Sequence, residues 1–253
     1  MSLVIVDKSD GVATLTLNNP TERNTLTAPM VADILAAMDD VENDSAIGAI
    51  VVTGAAPAFC AGANLGNLAT ATPESLSNIY EGFLRIARSP LPTIAAVNGA
   101  AVGAGMNLAL GCDIRIAAED AKFMLPEAGH GVIPDTGGVG RLFQMCGHGV
   151  VSDMVLTGRS LDAQAALALG IVSRVVTREE LDDTAMEMAL KIAASPAVTI
   201  KLARRVIQHL AQPEITTSMA DELIYQTFLN KSEDYAEFRA ARAEDRTPNY
   251  RGS

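Results

Sequence analysis

Glu127 is the residue whose neighbours best suit it to moving a proton. It follows Phe123-Met124-Leu125-Pro126, an apolar run that strips water from a carboxyl group and raises its pKa toward the range useful for acid–base work. Context alone also fits a loop carboxylate held by local hydrogen bonds. Upstream lie two glycine-rich stretches, Phe59-Cys60-Ala61-Gly62-Ala63-Asn64-Leu65 and Val97-Asn98-Gly99-Ala100-Ala101-Val102-Gly103-Ala104-Gly105-Met106-Asn107-Leu108. Small residues there let backbone N–H groups approach a ligand without a Cβ in the way. One amide from each stretch can converge on a carbonyl oxygen and hold it as it takes on the charge of an enolate. Tight turns account for the glycines by themselves; they do not account for their pairing with Pro126-Glu127.

Three further side chains invite chemistry. His130, in the same segment as Glu127, reads as a solvated loop residue, with tuning of Glu127 or contact to a ligand as the alternative. Asp135 follows Pro134 and reads as a turn residue or as a second acid/base. Cys60 has no recognisable activating partner and reads as a small buried residue rather than a nucleophile. The sequence contains no metal-ligand cluster, GxGxxG fingerprint or P-loop.

The elements that must position these groups alternate in type. Residues 3–6 and 12–17 are β-type runs parted by Ser9-Asp10-Gly11, which predicts a hairpin. Thr27 can cap a helix running to about Glu42, with Pro29 in its first turn and Val31, Ile34, Leu35 and Met38 on one face. Strands at 49–53 and 93–97 lead into the two glycine-rich stretches, with a helix at 73–88 between them. Strands recur from Ile114 to Met124, and Gly137-Gly138 opens another helix. Periodicity alone gives an α/β protein. After residues 172–176 the pattern turns helical. Leu181, Ala185, Met188 and Ile192 share one face; Ile200, Ala203, Ile207 and Leu210 the next; Met219, Leu223 and Phe228 a third. Pro196 and Pro213 are expected to mark helix starts, with a soft boundary near residue 195.

Composition narrows the classes. With 253 residues, 49% of them apolar, the chain can bury a sizeable core. A formal net charge of −11 argues against nucleic acid or an anionic membrane as the main partner. Cys60, Cys112 and Cys146 are widely spaced and form no CxxC pair, which fits a reducing compartment. The N-terminal residues lack a signal-peptide pattern, and no apolar run reaches the roughly 18 residues of a membrane span. A cytoplasmic location is expected.

Five motifs then occur in order: Leu17-Asn18-Asn19-Pro20 with Arg23-Asn24-Thr25-Leu26; Phe59 to Leu65; Ala96-Val97-Asn98-Gly99 to Cys112-Asp113-Ile114; Phe123 to Pro134 with Gly137-Gly138 and Arg141-Leu142; and Pro248-Asn249-Tyr250-Arg251-Gly252. In them the chain resembles the enoyl-CoA hydratase/isomerase, or crotonase, family nearly end to end. The resemblance implies a spiral of strand–strand–helix turns, with residues 1–195 as the core carrying the active site. Residues 196–253 would be a C-terminal helical region used for assembly into a homotrimer or a dimer of trimers. It also implies an acyl-CoA thioester substrate, with coenzyme A present only as part of it and no separate cofactor.

By the same resemblance, the N–H groups of Ala63 and Ala104 form the oxyanion hole, and Glu127 falls on one of the hydratases' two catalytic glutamates. Asn107 stands where the other glutamate would be. Its amide can orient a water or a substrate carbonyl but cannot exchange protons near neutral pH. The expectation is therefore an isomerase or a hydratase working with one glutamate; the alternative role for Asn107 is a structural cap on a short helix at 105–110. Asp135 matches a position where dienoyl-CoA isomerases carry a functional aspartate. Arg23 is the leading basic residue for the CoA phosphates, with Arg246 and Arg251 as further candidates. Ala61, Gly62, Asn64, Leu65 and Gly103 complete the expected substrate contacts, Asn64 standing where the family commonly has aspartate. Alternatives are a non-catalytic acyl-CoA-binding protein on the same scaffold, or another enolate-forming enzyme such as a thioesterase or decarboxylase.

Overall fold

The computed structural model describes residues 2–63, 80–82 and 84–251, except the side chains of residues 212–214 and 217. Strands β1 (Val4–Ser9) and β2 (Val12–Leu17) form the expected antiparallel hairpin. Asp10 and Gly11 both adopt positive φ, 51° and 82°, the turn geometry that matches strand twist. Thr27 accepts a hydrogen bond from Met30 N and caps α1 (Ala28–Glu42), which buries Val31, Ile34 and Met38.

From here the chain alternates between two sheets. Strands β3 (Ala49–Gly54), β5 (Thr93–Val97) and β7 (Ile114–Ala118) join the hairpin in one sheet, and β10 (Arg174–Val176) closes its far edge. Strands β4 (Ala58–Cys60), β6 (Ala100–Val102), β8 (Lys122–Met124) and β9 (Leu161–Asp162) form the second. Strands β3, β5 and β7 are each followed at once by a short strand in the second sheet, β4, β6 and β8, which pair parallel there, so the chain advances as a spiral of turns. Helices α2 (Ala104–Gly111), α3 (Gly138–Thr157), α4 (Ala163–Ala168), α5 (Leu181–Ala193), α6 (Ala197–Leu229) and α7 (Glu233–Ala243) follow.

The larger sheet is covered on both faces. One face meets the main core of α1, α2 and the second sheet. The other meets α5 through Leu181, Ala185 and Ala189, packed on Val12, Ile94 and Ile116. A strand buried at every residue, such as Thr-Ile-Ala-Ala-Val of β5, is what two covered faces require.

One expectation for the C-terminal helices fails. Pro213 does not start a helix, because α6 runs unbroken from Ala197 to Leu229. A proline costs roughly 3 kcal/mol in a helix interior, and packing beyond it outweighs that: Ile215 is buried and lies against Gly137 and Gly140 of the neighbouring segment. The face carrying Ile207 and Leu210 lies in the same helix and is exposed in the single chain, at 67% and 82%, beside exposed Val198, Leu202 and Val206. The expected helix at 73–88 falls largely outside the described residues; the described part is helical at 80–82 and 84–87.

Candidate active site

The two glycine-rich stretches meet at the junction of the sheets. Gly62 has φ 102°, and a Cβ there would stand 2.8 Å from Val102 O and 3.8 Å from Ala104 N. Gly105 is pressed against β4, where a Cβ would fall 2.1 Å from Cys60 O. Glycine is thus required at both places by backbone contact. Helix α2 begins one residue before the sequence pattern suggests, which puts the Ala104 N–H among the first-turn donors that no helical carbonyl can pair. Among the described residues neither the Ala63 nor the Ala104 N–H is committed to a backbone acceptor. Both residues line one cleft of about 1030 Å³.

Asn24 explains the opening motif. It is fully buried, and its amide donates to Ala55 O and Ala58 O at 2.8 Å and Phe59 O at 3.2 Å, while its oxygen accepts from Asn19 N at 2.9 Å. Arg23 O accepts from Ala61 N at 3.0 Å, and Leu26 N donates to Gly62 O at 2.8 Å. The motif therefore clamps the loop that carries Ala63. The Arg23 side chain is exposed on the rim of the cleft, and Ala61 and Gly62 line its wall. Asn64 and Leu65 lie outside the described residues.

Glu127 opens a 3-10 turn, Glu127–His130, directly after β8. Its Oε1 sits over Gly103, where a Cβ would approach to 2.9 Å, and Gly103 N donates to Met124 O at 2.9 Å. The carboxyl therefore stands beside the second glycine-rich stretch. Among the described residues its Oε2 is buried with no hydrogen-bond partner. Burial pushes its pKa up to about 8 and the nearby Asp135 charge adds to that, against its own backbone N–H. Tyr250, in the C-terminal motif, latches the same turn by donating its hydroxyl to Gly129 O at 2.6 Å.

Asp135 also lines the cleft, with its pKa raised to about 7 by burial and by Glu222, against the pull of Tyr80 and its own backbone N–H. Asn107 does not line it. The Asn107 amide donates to Asp135 O at 2.7 Å, and its oxygen is buried against Gly138, where a Cβ would stand at 1.8 Å. The side chain points at the Asp135 loop rather than toward a ligand. It is no cap either: it lies inside α2 and donates its own N–H to Gly103 O at 2.9 Å.

His130 departs from its reading as a solvated residue. It is half-buried and stacks on Phe238 with ring centroids 4.6 Å apart, its pKa lowered by burial and by Arg242. Cys60 is buried and its thiol is pushed up to about 12, which agrees with an inert packing role. Arg246 pairs through both guanidinium ends with Glu237 and also with Glu244, so its charge is already engaged.

Several cleft residues escaped sequence reasoning: Gln226 from α6 and Phe238, Arg239 and Arg242 from α7. Their only trace in the sequence was helical periodicity, which says nothing of the wall a helix faces. Among the described residues no cluster of His, Cys, Asp or Glu has the makings of a metal site, and no helix is long and apolar enough to cross a membrane.

Known proteins share this architecture. The Enoyl-CoA hydratase/isomerase family model matches residues 7–253. The 2,3-dehydroadipyl-CoA hydratase of Escherichia coli is 35% identical over 254 residues, covering 100% of both chains. The 1,2-epoxyphenylacetyl-CoA isomerase of the same organism is also 35% identical, over 260 residues that cover 100% of this chain and 99% of the relative. The crystal structure of an enoyl-CoA hydratase/isomerase from Pseudoalteromonas atlantica superposes with a TM-score of 0.89 at 27% identity, over 98% of this chain and 100% of the other. With its spiral of strand–strand–helix turns and motifs matched from end to end, the chain belongs to the enoyl-CoA hydratase/isomerase family, on the crotonase fold.

Proposed function

We propose that this enzyme moves a double bond along an enoyl-CoA thioester through an enolate held by the amides of Ala63 and Ala104. The observation that carries this reading is the pairing of Glu127 with Asp135 in one cleft, while Asn107 faces away from it. Ionised Glu127 removes a proton from C2 of a 3-enoyl-CoA. The electron pair moves into the carbonyl, and the two N–H groups stabilise the resulting dienolate. A proton returned to C4 gives the 2-enoyl-CoA and restores the carbonyl. Asp135, when it carries the pair's one proton, is placed to supply it to C4. The proton taken up by Glu127 then passes to Asp135 through solvent, which restores both carboxyls.

Asn107 then acts on the loop rather than on substrate or water. Arg23, with Arg239 and Arg242 from the opposite rim, offers positive charge for the CoA phosphates on a protein of net charge −11. Ala61, Gly62 and Gly103 form the backbone wall beside the thioester. No cofactor is called for beyond the CoA of the substrate, and a cytoplasmic site of action fits. Residues 1–195 supply the oxyanion hole and Glu127. Residues 196–253 supply an apolar face, Val198, Leu202, Val206 and Leu210 on successive turns of α6, suited to a homotrimer or a dimer of trimers.

A second reading, hydration by Glu127 alone, is favoured by one feature: its Oε2 has no partner among the described residues and is free to hold a water. Incubation with trans-3-enoyl-CoA and trans-2-enoyl-CoA in D₂O separates the two. Conversion of the 3-enoyl to the 2-enoyl form without a water adduct is expected. Formation of 3-hydroxyacyl-CoA as the main product would replace the isomerase reading with the hydratase one. Binding with neither product nor deuterium uptake would favour an acyl-CoA-binding protein.

A further inference from the structure

The 133–137 loop is held from behind by a helix distant in sequence. Glu222 of α6 is 4% exposed; its Oε2 accepts the Gly137 N–H at 2.7 Å and its Oε1 accepts the Ser218 hydroxyl. One turn further on, Gln226 Oε1 accepts the Ile133 N–H at 3.0 Å. Asn107 secures the middle of the loop at Asp135 O. A carboxyl group so deep is costly to ionise, and neither of its hydrogen bonds requires one, since an amide oxygen would accept the Gly137 N–H as well. What Glu222 adds beyond an amide is negative charge.

That charge falls on Asp135. Asp135 is faced by Tyr80 and by Glu222, and its own charge reaches Glu127. Glu222 is faced in turn by Arg141 from α3 and by Asp221 on its own helix. Arg141 is tied to Thr136 O at 2.6 Å, so the counter-charge is anchored to the same loop.

We propose that Glu222 is a positioning residue for Asp135: it pins the loop at Gly137 and sets its own carboxyl, balanced by Arg141, behind that of Asp135, so that Asp135 meets the cleft as an acid. This rests on the reading of Asp135 as the second carboxyl of the reaction. Glu222 does not line the cleft and acts only through Asp135. A like charge disfavours ionisation, so removing it lets Asp135 ionise at lower pH.

Glu222→Gln keeps an oxygen for Gly137 and an amide for Ser218, and deletes the charge alone. In a ¹³C-carboxyl NMR titration of aspartate-labelled full-length protein, the Asp135 signal is assigned by its loss in Asp135→Asn. Its midpoint is expected to fall by about one pH unit in Glu222→Gln. An unmoved midpoint would overturn the proposal. Glu222→Ala, which also frees Gly137, is expected to lower kcat at least about tenfold with KM within about threefold. A folded Glu222→Ala protein with unchanged kcat would overturn it equally. The titration needs no substrate. Absence of enoyl-CoA turnover by the unaltered protein therefore counts against the reading of the reaction, and an unmoved Asp135 midpoint against this inference.

Discussion

The two walls of the cleft are built on different principles. The proposed oxyanion wall is backbone: the Ala63 and Ala104 N–H groups on loops that glycines allow to touch, clamped by Asn24 and by the start of α2. The acid–base wall is side chain: Glu127 and Asp135 on short irregular segments, held by residues from α2, α6 and the C-terminal motif. The first wall is set by backbone hydrogen bonds of its loop with Arg23 and Leu26 and by close contact of Gly105 with β4. The second is rigid only while distant parts of the chain stay docked. A reaction needing both a stationary charge acceptor and adjustable proton donors is served by that division.

Breaking the acid–base wall is expected to have the largest effect. Glu127→Gln keeps the shape and removes the proton carrier, so kcat should fall by about 10²–10⁴ with little change in KM. A loss under tenfold, measured in the 3-enoyl-CoA assay, would move the chemistry elsewhere in the cleft.

Damage to the oxyanion wall should follow. At Gly105 an added Cβ meets the Cys60 carbonyl at 2.1 Å, which forces α2 and β4 apart. Gly105→Ala should lower kcat by about 10²–10³, the usual effect of losing one oxyanion donor, and should lower Tm as well. Glu127→Gln should leave Tm nearly unchanged. Opposite patterns in the two variants would collapse the distinction between the walls.

The smallest effect sharpens the comparison. Carboxyls displaced to about 8 and about 7 and close enough to interact titrate as a pair. Between those values the pair holds one proton. The competent form is the one with that proton on Asp135 and Glu127 ionised, the less populated arrangement given the order of the two values. A bell-shaped pH dependence of kcat/KM is expected, a few-fold high, peaking between about 7 and 8. Activity falls on the acid side as the base is protonated and on the alkaline side as the acid is lost. Asp135→Asn should remove the alkaline limb and leave a single ascending one. A descending limb that persists in that variant would assign it to another group.

Legibility in the sequence followed the same line. The hairpin, α1, β5 and the start of α3 could be read from turn residues, a capping threonine and apolar spacing, because those signals are local. The motifs named Glu127, Asp135, Ala63 and Ala104, which the fold gathers in one cleft. The orientation of Asn107 was not legible: it depends on Gly138 leaving room for its oxygen, a contact between segments that no spacing reveals. The stack of His130 on Phe238 and the clamp from Glu222 were hidden for the same reason. The unbroken course of α6 through Pro213 shows tertiary packing overriding a local breaker.

Helix α6 also bears on how such chains can be recombined. Pro196, at its N-terminus, looks like a natural breakpoint, since the sheets and the oxyanion loops are complete before it. Yet Glu222 and Gln226 hold the loop that bears Asp135, and both lie beyond the breakpoint. A chimera joined there would inherit its electrophile-binding half from one parent and the temper of its acid from the other. Tails exchanged between relatives are therefore a route to retuning proton transfer without altering any residue that touches the substrate's reacting carbons.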